Sequence, residues 1–155
     1  MTALVLAALL AAQPEARCGD CRPLARATMH AATATGVDPL LLGAVALVES
    51  GGRDVVQRRP WGRVVGPWQL AVRSDCAGPG QTPCDLVRPL SVGAVAAAAI
   101  LSRGLRRYNA SARWRRAVMR VWRRMERQGP LAGPRARPPK RCGVTASEYT
   151  RCLTV

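Results

Sequence analysis

The stretch from Leu40 to Val48 is apolar throughout and ends abruptly on Glu49, Ser50, Gly51 and Gly52. Asp38 suits an N-cap, Pro39 suits the first helical position, and the glycine pair is a natural stop, so 39–50 reads as one helix. A helix apolar on every side has no face to offer water and must lie inside the core. Every other segment has to arrange itself around it. Glu49, on the last turn, is then drawn partly out of water, which disfavours its charged form. A carboxylic acid that keeps its proton near neutral pH is what a general acid needs. The competing reading is that Glu49 merely solvates the end of the helix.

The remaining composition agrees with helical packing. The chain has 155 residues, enough for one core and a short tail, with no Phe and much Ala, Leu and Arg. The formal charge of +15 comes almost wholly from arginine, Lys140 being the only lysine. Such a surface attracts polyanions, whether nucleic acid, acidic lipid or anionic wall polymer, and does not choose among them. A GC-rich genome produces the same arginine-for-lysine bias.

A first amphipathic helix is expected over 23–35, with Leu24, Ala27, Thr28, Ala31 and Ala32 on one face and His30 at the surface. Residues 51–88, rich in Gly, Pro and Arg, are too long for a plain connection and read as functional loops or short irregular elements. Helical character resumes over 89–107 and again over 112–127. On the last helix Trp114, Val118, Val121, Trp122 and Met125 form an apolar stripe opposite a face of arginines. That stripe reads first as core and second as a dock for anionic polymer or membrane. Residues 129–141 form a Pro- and Arg-rich linker, and 142–155 a short tail with a capping box from Thr145 to Glu148.

Residues Ala3 to Ala12 are too short to span a bilayer and match the core of a secretory signal over 1–16, although no Lys or Arg precedes them. Cysteine usage agrees with export to a periplasmic or extracellular location. The six cysteines fall into close pairs, Cys18/Cys21, Cys76/Cys84 and Cys142/Cys152, which suit disulfides in an oxidising compartment. The last pair could staple the tail. A zinc site would need four convergent ligands, and the chain has a single His and no second Cys-x-x-Cys. Cys18-Gly19-Asp20-Cys21 also makes a poor redox motif, since no strand precedes it.

Taken together, Gly36-Val37-Asp38-Pro39, Val48-Glu49-Ser50-Gly51-Gly52 and Gly66-Pro67-Trp68-Gln69 resemble the core of the lytic transglycosylase and goose-type lysozyme family. The resemblance spans roughly residues 25–125, with Asp85-Leu86-Val87-Arg88-Pro89 loosely similar to a third element. It implies a mostly α, lysozyme-like domain over 17–128, with a long irregular loop region lining a cleft. It also implies cleavage of the bond between N-acetylmuramic acid and N-acetylglucosamine in peptidoglycan. Glu49 would be first acid and then base, releasing a 1,6-anhydro product. Ser50, Gly66, Trp68, Gln69 and Tyr108 are the implied substrate-binding residues, and no metal or organic cofactor is implied. Asp54, Asp75 and Asp85 are candidate second carboxylates if the reaction is hydrolysis, and Trp61 and Trp68 are each a candidate sugar platform or a core anchor.

The chain departs from the family at a late Tyr-Asn-x-Gly motif, where the nearest register holds Val121 and Trp122. Tyr108-Asn109 matches the letters but comes early. Either Tyr108 has taken over the role or the support is missing; Tyr108 is read here as ending the preceding helix. Three functions are therefore carried forward. The first is a monomeric exported enzyme acting on peptidoglycan strands, with anionic envelope polymers as further partners. The second is a non-catalytic wall-binding protein of the same fold. The third is a basic helical protein binding nucleic acid through phosphate contacts, without specific recognition expected.

Overall fold

A computed structural model describes residues 2–12, 16–60, 62–72 and 89–128. Trp61, Asp75, Asp85, the pairs Cys76/Cys84 and Cys142/Cys152, and the linker and tail expected after residue 128 lie outside the described residues. The described chain is mostly α-helical. In order it runs α1 (Thr2–Ala11), α2 (Arg22–Thr35), α3 (Pro39–Ser50), β1 (Val56–Arg59), β2 (Gly62–Val65), β3 (Leu70–Val72), α4 (Leu90–Leu101), α5 (Leu105–Tyr108) and α6 (Ala112–Gln128).

The all-apolar helix is α3, and it forms for the reasons read from its ends. The Asp38 carboxylate accepts from the Leu40 N–H at 2.8 Å, and Gly51 closes the C-terminus in the left-handed conformation. Leu42, Ala44, Val45 and Ala46 are completely buried, with α1, α2, α4 and α6 packed around them. Gly43 lets two neighbours close in, since a Cβ there would meet Met125 Cε at 3.2 Å and Leu9 Cδ2 at 3.3 Å. The expected apolar stripe of α6 does face the core: Val118, Val121 and Met125 are buried, and Trp114 and Trp122 partly so.

The N-terminal stretch read as a signal core is the helix α1, with Val5, Ala8, Leu9 and Ala12 buried in the same core. Removing residues 1–16 would uncover the surface around Gly43 and Met125. None of the described helices is long and apolar enough to cross a membrane.

Two expectations need revision. Within residues 51–72 the chain forms a three-stranded antiparallel sheet in the order β1-β2-β3, pairing Val56 with Val65 and Val65 with Leu70. Its strands are three or four residues long and carry Gln57, Arg58, Arg59 and Arg63, so no alternating apolar pattern announces them. The helix expected over 89–107 is broken between Leu101 and Leu105, where Gly104 takes a positive φ, and α5 ends at Tyr108.

Two long-range bonds tie this frame together. Trp68 is 1% exposed and donates its indole N–H to the Leu42 carbonyl at 3.1 Å. Asp38, while capping α3 with one oxygen, accepts from Trp122 Nε1 with the other at 2.9 Å. One carboxylate therefore starts the central helix and holds α6 against it. Asp38→Ala removes the cap and strands the indole N–H, and should cost about 2 kcal/mol by chemical denaturation. Trp122→Phe, which loses the bond and part of the ring's packing but leaves the cap, should cost about 1 kcal/mol; equal losses would deny the cap its share.

Candidate functional site

The site grows from the C-terminal end of α3. Glu49 follows directly from the buried run and is itself only partly exposed, between Val48 and the buried Ser50. Removal of water from its carboxyl raises the pKa from 4.5 to about 7. The indole N–H of Trp114 and the guanidinium of Arg59 act in the opposite direction, favouring the anion, and do not cancel the effect of burial. The Trp114 contact is weaker than a full hydrogen bond, because Nε1 is buried without a partner at bonding distance. Glu49 thus keeps its proton through the mildly acidic range, is half ionised near neutrality, and retains an edge toward solvent.

Tyr108 closes one side. Its ring stacks on Trp114 with centroids 5.6 Å apart and planes 3° from parallel. Its hydroxyl donates to the Trp68 carbonyl at 2.5 Å. Burial, and secondarily the negative charge available at Glu49, push the phenol well above its ordinary pKa. Tyr108 therefore stays neutral and commits its proton to the backbone. It ends α5, as the sequence suggests, and it also stands in the site.

The other expected binding residues support the site from behind rather than facing a ligand. The Ser50 hydroxyl lies within hydrogen-bond distance of the carbonyls of Ala46 (3.3 Å), Arg53 (3.0 Å) and Pro67 (2.9 Å), so its donor is used internally. Its function is to fasten the end of α3 to the 66–69 turn. Trp68 is a core anchor and not a sugar platform. Gly66 is buried, and its φ of +75° explains why glycine stands there; it serves the turn, not a close approach of glycan.

Gln69 is the exception among these. It is the one non-glycine residue among those described with a positive φ, at +49°. Its Nε2 donates to Gly66 O at 2.9 Å and Val55 O at 3.3 Å, which fixes the amide and leaves Oε1 buried without a partner. A strained backbone and an unsatisfied acceptor mark a site more often than a scaffold. The turn that carries Gln69 is bonded both to Ser50, next to Glu49, and to Tyr108, beside Glu49. Asp54 is exposed near Gly66 and shares no described contact with Glu49.

A cavity of about 540 Å³ opens beside this cluster. Glu49, Ser50 and Gly51 form one wall and Ala117, Arg120, Val121 and Arg124 of α6 another. Arg17, Arg53, Leu47 and Val48 complete it, while Gly66, Trp68, Gln69 and Tyr108 are not among its lining residues. Trp114 was visible in the sequence only as part of a core stripe. The approach of Arg59 and of the cavity's arginines depends on tertiary packing and left no sequence signal.

Comparison with protein-family models, with curated proteins and with solved structures finds no match for this chain. The functional reading therefore rests on the geometry and on the motif resemblance.

The sign of the Glu49 shift sets a stability test. The folded state binds this proton more tightly than the unfolded state, so its stabilising effect is complete below pH 4.5 and is lost as pH rises toward about 7. Relative to Glu49→Gln, which has no titrating group there, the parent should lose up to about 3 kcal/mol over that window. Parallel stability curves for the two proteins would mean that Glu49 is solvated.

Proposed function

We propose that this protein is a lytic transglycosylase of lysozyme-like fold, exported to the cell envelope, that cleaves the glycan strands of peptidoglycan. What carries the reading is one observation: a carboxylic acid with a pKa near 7 stands at the edge of a cavity large enough for sugars. The Glu-Ser pair closing a buried helix and the Gly-x-x-Gln turn fastened to it give the resemblance a spatial counterpart.

The chemistry asks for a proton at the departing glycosidic oxygen as the bond to C1 breaks and charge builds on the ring. Neutral Glu49 supplies that proton. The resulting carboxylate then accepts the proton of the sugar's own C6 hydroxyl as O6 closes on C1, which gives the 1,6-anhydro product and returns Glu49 to its starting form. Atoms balance without water and without a second carboxylate. Tyr108, whose proton is engaged by Trp68, does not compete as an acid. Gln69, with its Oε1 buried and outside the cavity lining, holds the 66–69 turn in place behind Glu49.

One observation favours the non-catalytic alternative. Ser50 and Trp68, both expected to touch sugar, spend their donors on backbone carbonyls instead. The two readings separate in a clearing assay. The parent should release soluble fragments from purified sacculi, and Glu49→Gln should lower that release by at least about 100-fold while its circular dichroism spectrum matches the parent's. Release should also fall as pH rises above about 7, where Glu49 loses its proton. Products lighter than hydrolytic ones by one water identify the anhydro route. Wall binding without release supports the alternative, and undiminished release by Glu49→Gln removes Glu49 from the mechanism.

A further inference from the structure

The cavity beside Glu49 carries more positive charge than general acid catalysis requires. Arg17, Arg53, Arg120 and Arg124 line it, and Glu49 is the one acidic side chain among the described lining residues. With its pKa near 7, Glu49 is about half ionised at neutral pH and supplies less than one full negative charge to this wall. Guanidinium groups gathered in a concave wall focus a positive field into it, and their planar forks match a carboxylate in a bidentate fashion.

Two of these arginines are held by the fold. Arg53 donates Nε to the Ser50 carbonyl at 2.9 Å, at the negative end of α3, which fixes the guanidinium against the cavity wall. The Arg17 backbone N–H donates to the Gly51 carbonyl at 2.7 Å. The next residue, Cys18, is joined to Cys21 by a disulfide with Cα atoms 5.2 Å apart, and Cys21 leads directly into α2. Gly52, with φ +77°, lets this segment lie close, since a Cβ there would come within 3.3 Å of Cys18 Cβ and 2.9 Å of Leu24 Cδ2. The disulfide, the turn and α2 therefore hold Arg17 at the cavity that Arg120 of α6 also lines.

We infer that this arginine-lined cavity is a carboxylate-binding site, and that it takes the carboxyl groups of the peptide stem on a glycan whose sugar backbone lies at Glu49. The inference rests on the proposed glycan substrate and adds to it a requirement: the strand cut is one that still bears free acid groups. A neutral strand would offer Arg17 and Arg120 no carboxylate to accept a charge-assisted hydrogen bond. Binding of the stem would also hold the muramoyl ring in register with the acid.

The test uses the full chain carrying Glu49→Gln, which binds without cutting, and two preparations of sacculi: untreated, and with the stem carboxyl groups converted to amides. Cosedimentation gives an affinity ratio between the two. The expected ratio is at least about tenfold in favour of free carboxylates, the effect of one charge-assisted hydrogen bond or more. Adding Arg17→Ala and Arg120→Ala should bring the ratio close to one. Adding Arg26→Ala and Arg103→Ala, which removes the same charge from exposed positions outside the cavity, should keep it. A parent ratio near one overturns the inference, as does an equal fall in both double variants, which would assign the preference to overall charge or to other wall polyanions. Circular dichroism of each variant separates loss of binding from loss of fold. Release of fragments by the unaltered chain is scored independently: equal release from both preparations would overturn the carboxylate site while leaving the glycosidase reading intact.

Discussion

The withdrawal of water from the last turn of α3 is the constraint on which the rest of the molecule depends. A helix without a polar face can fold only if other elements cover it entirely, and α1, α2, α4 and α6 do so. That enclosure makes the core, and it also leaves Glu49 at the boundary between apolar interior and open cavity. The same burial that stabilises the helix penalises the charged carboxylate. Structure and chemistry thus share one cause, and a change that loosened α6 from α3 would both weaken the core and return Glu49 to the ordinary carboxylate range.

The surrounding polar bonds can be understood as the means of keeping that boundary in place. Asp38 ties α6 to the start of α3 through Trp122, while Ser50 ties its end to the turn at Pro67. Trp68 and Tyr108 extend the chain of contacts from Leu42, through the 66–69 turn, to Trp114 on α6. Residues of the types that bind sugars are here spent largely on positioning. The groups lining the cavity include an acid with a raised pKa and four arginines beside apolar side chains.

Much of this was legible in the chain itself, and the limits follow from physics. The bounds of α3 were readable because Asp38, Pro39, Gly51 and the apolar run are local signals that agree. Glu49 was readable as a candidate for the same reason. The sheet was not, because a strand such as Val56–Arg59 exists through pairing with Gly62–Val65 and has no pattern of its own. The break between α4 and α5 was hidden by an alanine run that favours helix without marking its end. Ser50 and Trp68 show the limit for function. A hydroxyl or an indole suits a sugar and a backbone carbonyl equally well, and only their burial in the folded chain decides between the two. The meeting of Glu49 with Arg59, Tyr108 and Trp114 joins four separate segments, and spacing along the chain does not encode it.

The proton affinity of Glu49 is the property on which the proposed acid catalysis turns. Carbon-13 NMR of the side-chain carboxyl, assigned by comparison with Glu49→Gln, reads it without requiring any substrate. The account predicts a titration midpoint near pH 7 in the folded protein and a return to about 4.5 on unfolding. A midpoint near 4.5 in the folded protein would contradict it, for the acid would then be a solvated surface group and the proposed catalysis would have no source of its proton.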